Sequence, residues 1–152
     1  MGGTVQGVIF IGLQASGKSS FYLQQFYRTH LRLNMDMLKT RRREDILLNA
    51  CIEAKQPVVI DNTNPTREGR GKYIDLFRRG RFSVAGYYFS SSLADCMARN
   101  SGREGKERIP DAGLRSVYAK MELPEYAEGF DALYYVRLND GEFIVEEWRS
   151  EI

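Results

Sequence analysis

Val8-Ile9-Phe10-Ile11 runs without a break into Gly12-Leu13-Gln14-Ala15-Ser16-Gly17-Lys18-Ser19-Ser20. The first four residues are short, β-rich and unalternated, which reads as a strand buried on both faces. The stretch from Gly12 to Ser19 fits G-x-x-x-x-G-K-[ST], and it lies where that motif must lie, between a strand and a helix expected over 17–28. The glycines let backbone N–H groups turn inward around phosphates, and the helix N-terminus adds partial positive charge. Lys18 would neutralise the β- and γ-phosphates, and the Ser19 hydroxyl would ligate Mg²⁺. Gly12, Leu13, Gln14, Ala15, Ser16, Gly17, Lys18, Ser19 and Ser20 are therefore the candidate nucleotide-binding residues, with ATP and Mg²⁺ as expected cofactors.

Outward from this loop, short apolar runs alternate with longer mixed segments, the pattern of β-α-β units in a parallel sheet. His30 to Asn34 reads as a second strand with Leu31 and Leu33 inward. From Arg43 to Lys55, the positions Ile46, Leu47, Ala50, Cys51 and Ala54 fall on one helical stripe. Pro57 to Ile60 reads as a third strand, and Asn64-Pro65 as an N-cap and first residue of a helix reaching Arg79. Phe82 to Phe89 is a fourth strand, with helices over 93–100 and 111–121. Asp131 to Arg137 and Glu142 to Glu147 flank Asn139-Asp140-Gly141, a hairpin signal. The expectation is an α/β fold of the P-loop NTPase kind, in one domain over 1–152. It has a mostly parallel five-stranded sheet, helices on both faces, a lid at about 99–109 and a short C-terminal hairpin.

Composition agrees. A chain of 152 residues that is 43% hydrophobic and 28% charged has enough core to fold without disulfide or metal staples. Cys51 and Cys96 form no CxxC pair and no charged-then-apolar leader opens the chain, so a reduced, cytoplasmic protein is expected. No apolar run approaches the roughly 20 residues that span a bilayer, and His30 alone with two scattered cysteines makes no zinc site. No stretch calls for an obligate protein partner. Residues 1–121 carry 20 basic against 11 acidic groups, and residues 122–152 carry 2 against 9. An N-terminal body with excess positive charge suits phosphate-rich ligands.

Several further residues are candidates by position. Asp36 closes the second strand, and in doubly wound sheets ligands gather at the carboxyl ends of strands. A carboxylate there either takes the proton of an attacking hydroxyl or serves as a turn or cap residue. Asp61 follows the third strand, where P-loop proteins carry an acidic residue close to Mg²⁺ or substrate. Lys39, Asn64 and Arg67 are candidate substrate contacts beside it, as are Arg70 and Arg41 to Arg43. Arg99, Arg103, Lys106 and Arg108, interleaved with Gly102 and Gly105, suit a lid that folds over a triphosphate and brings guanidinium charge to the transferring phosphoryl.

GLQASGKS, Asn34-Met35-Asp36, the run from Val58 to Tyr73 (VVIDNTNPTREGRGKY), Arg99-Asn100 with Arg103, Ile109-Pro110 and Ala127 to Phe130 together resemble the kinase domain of polynucleotide 5′-hydroxyl kinases. The resemblance covers roughly residues 7 to 138, and Asp61-Asn62-Thr63-Asn64-Pro65 is its most specific part. It implies an ATP- and Mg²⁺-dependent enzyme that moves the γ-phosphate to the 5′-hydroxyl of a single-stranded or end-bearing DNA or RNA, with Asp36 as general base and lid arginine at the phosphates. Two positions depart from that family. Met35 stands where it often has arginine, and Lys39 replaces an arginine whose bidentate fork recognises phosphate. The alternatives are a kinase for a small alcohol, sugar or nucleoside, and a non-catalytic nucleotide-dependent switch.

Overall fold

A computed structural model describes residues 4–90, 92–105 and 108–149. In chain order the elements are β1 (Gln6–Ile11), α1 (Lys18–Gln25), β2 (Leu31–Leu33), α2 (Met35–Leu38), α3 (Arg41–Ala54), β3 (Val58–Ile60) and α4 (Arg67–Arg79). Then follow β4 (Ser83–Ser90), α5 (Leu93–Ser101), α6 (Asp111–Lys120), a 3₁₀ turn (Tyr126–Glu128), β5 (Ala132–Asn139) and β6 (Glu142–Glu147). The strands form one sheet in the order β2-β3-β1-β4-β5-β6. The first five are parallel, and β6 returns antiparallel along β5 through Asp140 and Gly141, both at positive φ as a tight hairpin demands. This is the P-loop NTPase fold.

The period-2 alternation of strands sorts the core into two layers. Ile9, Ile11, Val58, Ile60, Val84 and Leu133 face α3 and α4. Val8, Phe10, Val59, Ala85 and Val136 face the other way, against Phe21, Tyr22 and Phe26 from α1 and its C-cap. Phe10 centres an aromatic group there, with ring centroids 5.9 Å from Phe21 and 5.0 Å from Phe89. A third, smaller group joins Leu13 and Ala15 of the phosphate loop to Cys96 of α5 and Leu114 of α6. The segment expected to be a lid is thereby anchored beside the loop that it would cover.

Three local expectations are corrected. Helix α3 buries Glu44, Leu48 and Cys51, leaving Ile46, Leu47, Ala50 and Ala54 exposed. The stripe is offset because its inner face begins with a carboxylate: buried Glu44 accepts hydrogen bonds from Tyr73 Oη (2.8 Å), Arg41 (3.0 Å) and Asn62 Nδ2 (3.1 Å). Leu31, at the start of the edge strand, is exposed while Leu33 is buried. Asn64 does not cap α4. Thr66 does, its Oγ1 accepting from Gly69 N at 3.1 Å, while Asn64 sits at positive φ with its buried side chain donating to Phe10 O at 2.7 Å.

The lopsided charge has an internal use. Arg70, with no exposed surface, makes two bonds to Glu128 (2.8 and 3.1 Å) and one to Asn64 O (2.9 Å). Arg67 pairs with Glu125 at 3.1 Å, and Arg78 with Asp131 at 3.6 Å. The acidic C-terminal segment thus neutralises the basic helix α4, and that share of the positive charge is not directed at a ligand.

Candidate functional site

The carboxyl ends of the parallel strands open into a cleft of about 890 Å³, lined from one side by Gln14, Ala15 and Gly17 to Ser20 and from the other by Asn34 to Met37, Lys39, Asp61 and Asn62. The backbone explains the first wall. Gly17, at φ 99°, turns the chain into α1, and a Cβ at Gly12 would lie 3.0 Å from both Phe89 and Ser16 Oγ. Helix α1 has no acidic residue in its first turn, so nothing on it opposes an anion at its N-terminus.

Lys18 is buried at the base of this loop. Its Nζ donates to Gly12 O at 2.9 Å and Leu13 O at 2.6 Å. Burial pushes the ammonium down to about 8, with the Asp61 carboxylate pulling in the opposite direction. Ser19 Oγ donates to Asp61 Oδ2 at 3.2 Å. A hydroxyl beside one carboxylate is a fitting donor set for Mg²⁺, which keeps several waters and takes its remaining ligands from substrate phosphates. No group of three or more His, Cys, Asp or Glu side chains that could hold a metal ion occurs among the described residues. Gln14 Oε1, also in the loop, is buried without a hydrogen-bond partner, an acceptor that a bound ligand or its waters can satisfy. The residues present therefore fit a magnesium nucleotide.

Asp36 does not end a strand. It lies in the first turn of the short helix α2, which Asn34 caps by accepting from Met37 N at 3.2 Å. Two asparagine side chains pin this helix to β3: Asn34 Nδ2 donates to Asp61 O at 2.6 Å, and Asn62 Oδ1 accepts from Met35 N at 2.9 Å. Through Asn62 the helix that carries Asp36 is tied to buried Glu44. Asp36 is exposed in the cleft wall, where an acceptor can reach it.

Of the other sequence candidates, Lys39, Arg41 and Arg103 line the cleft. Asn64 and Arg67 do not, and their side chains are engaged in holding the fold as described above. Arg99 reaches the phosphate loop from outside the cleft, donating to Ala15 O at 2.7 Å. Lys106 lies outside the described residues. Buried Asn100 pinches the two ends of the lid segment together: its Nδ2 donates to Ile109 O, and its Oδ1 accepts from Ile109 N at 2.8 Å. The sequence reading also missed Arg32, Glu44 and Asn62 as site residues. For Arg32 a signal existed. In a strand whose Leu33 faces the core, its neighbour must point to the opposite face, toward α1.

Residues 8–124 match the family described as AAA domain. The bifunctional polynucleotide phosphatase/kinase of Schizosaccharomyces pombe is 31% identical over 130 residues, which cover 81% of this chain and 31% of that protein. The chain thus spans about a third of that relative's length. Among solved structures, Chaetomium thermophilum Kti12 in complex with ADP-AlF3 superposes with a TM-score of 0.71 at 14% identity, over 88% of this chain and 90% of that one. A gluconokinase from Sinorhizobium meliloti gives 0.60 at 18% identity, over 88% and 82%. At these identities the structures share the fold alone. The family match begins within β1 and ends just after α6, taking in every residue that lines the cleft, and by it the chain belongs to the AAA domain family.

Proposed function

We propose that the chain is an ATP-dependent phosphotransferase that moves the γ-phosphoryl group to an alcohol. The observation that carries this is the meeting of Lys18, Ser19, Asp61 and Asp36 in one cleft, with Arg103 also in its wall. The bound metal would neutralise charge on the phosphates. Lys18 leaves the Gly12 and Leu13 carbonyls and binds the β- and γ-oxygens. Asp36 accepts the acceptor's hydroxyl proton as its oxygen bonds to phosphorus and the bond to ADP breaks. Arg103 stabilises charge on the transferring group, and the lid segment excludes water.

The charge around the cleft favours a small acceptor. Of its basic residues, Lys18 serves the phosphate loop, Arg32 pairs with Asp61, and Arg41 bonds Glu44 and Tyr73. Lys39 lacks the planar fork suited to backbone phosphates. We therefore read the acceptor as a sugar, nucleoside or other small alcohol. The 5′-hydroxyl of a polynucleotide is the second reading, favoured by the relative that is 31% identical. Incubation with γ-labelled ATP and a panel of small alcohols, nucleosides and 5′-hydroxyl oligonucleotides separates them by the labelled product. Binding of ATP with no transfer to any hydroxyl would leave the nucleotide-dependent switch.

A further inference from the structure

Ser19 and Asp61 share a third partner. Arg32, in β2, donates from Nε to Asp61 Oδ2 at 2.7 Å and from an Nη to Ser19 Oγ at 2.9 Å. One guanidinium fork thus spans both oxygens that would ligate Mg²⁺. The Asp61 side chain is 1% exposed and that of Arg32 27%, so the cation reaches a buried carboxylate from the cleft side. A carboxylate so buried is costly without a positive partner. Ser19 Oγ gives its proton to Asp61 and a lone pair to Arg32, and a metal would need those same oxygens.

We propose that Arg32 is a place-holding cation. It neutralises Asp61 while nucleotide is absent and withdraws from Ser19 Oγ and Asp61 Oδ2 when the divalent cation arrives, so that metal binding is an exchange of cations and not an addition. The proposal rests on Ser19 and Asp61 as the metal pair. Arg32 is on this account a positioning residue, and its cost is a weaker hold on the metal: the observed affinity is the intrinsic one reduced by the fraction of molecules with Arg32 withdrawn. Its gain is an Asp61 carboxylate kept paired and in place between turnovers.

The test is Mn²⁺ binding to the full chain, read from the electron paramagnetic resonance signal of free Mn²⁺, with and without ADP. With ADP present, Arg32→Ala should bind Mn²⁺ about tenfold or more tightly than wild type, corresponding to a withdrawn fraction of about a tenth or less. Arg32→Gln, which keeps a polar side chain without charge, should gain affinity in the same direction and serves if Arg32→Ala does not fold. Adding Ser19→Ala should abolish the gain, which locates the ion. Unchanged or weaker Mn²⁺ binding in a folded Arg32 variant overturns the exchange while leaving the metal pair standing. Absence of ADP-dependent Mn²⁺ binding in the wild type overturns the metal pair and the exchange together.

Discussion

Lys18 Nζ lies 2.6 Å from the carbonyl oxygen of Leu13, so without nucleotide the cation of the phosphate loop is bonded to the loop itself. Any phosphate must take it from those carbonyls, and the ammonium must be protonated to be worth taking. Burial has pushed it to about 8 from an ordinary 10.5. Between those values the unfolded chain binds the proton that the folded one has lost, so this group makes stability rise with pH across that window. Nucleotide binding runs the other way, because phosphate favours the charged form. ATP affinity should therefore fall above pH 8, approaching about tenfold per pH unit, with proton uptake on binding. Calorimetry in two buffers of different ionisation enthalpy checks both.

Removing that cation should separate ligand from fold. Lys18→Ala should lose most of the thermal stabilisation given by ATP·Mg²⁺ while the nucleotide-free melting temperature stays unchanged or rises, since a buried charge is deleted. An ATP response equal to wild type would contradict the phosphate loop assignment.

The Arg70–Glu128 pair predicts the opposite split. Arg70 is wholly buried, and Glu128→Ala leaves its guanidinium facing nothing on that side. Breaking a buried pair from one side costs about 3–5 kcal/mol, which urea denaturation should show. ATP affinity of the folded variant should stay within about twofold, because neither residue lines the cleft.

The lid depends on Asn100 holding Ile109 by two hydrogen bonds. At about 1 kcal/mol each, their loss in Asn100→Ala should raise trypsin cleavage at Arg103 and Arg108 by about tenfold or more. ATP should protect the same bonds in the wild type. Arg103→Ala should lower kcat by about 10²- to 10³-fold while ATP affinity changes little, since its contact strengthens as charge develops.

The parallel sheet, the hairpin and the phosphate loop were all legible in the sequence, because each is written in short-range chemistry: an apolar run, an Asp140-Gly141 turn, glycines at fixed spacing. What was not legible depends on partners distant in the chain. Glu44 looks like a solvated charge on an exposed face until Tyr73, 29 residues on, supplies the hydroxyl that lets it be buried. Asn64 carries every local mark of a cap, yet Phe10 O, 54 residues away, claims its side chain. Arg67 reads as a phosphate contact until the acidic segment folds back upon it. Asp36 reads as the end of the second strand because the helix that presents it, α2, is too short to leave a period in the sequence.

Among the described residues, Asp36 is the only carboxylate besides Asp61 that lines the cleft, and the proposed transfer depends on it most directly. Rapid-quench measurement of γ-phosphoryl transfer to the best acceptor found in the panel, for wild type and Asp36→Asn, tests it with ATP affinity measured in parallel. Asparagine keeps the size and removes the basicity, so affinity should stay within about twofold while transfer falls by about 10²- to 10⁴-fold. Transfer by Asp36→Asn at a rate near wild type would contradict the assignment of Asp36 as the base and, with it, the mechanism proposed for the cleft.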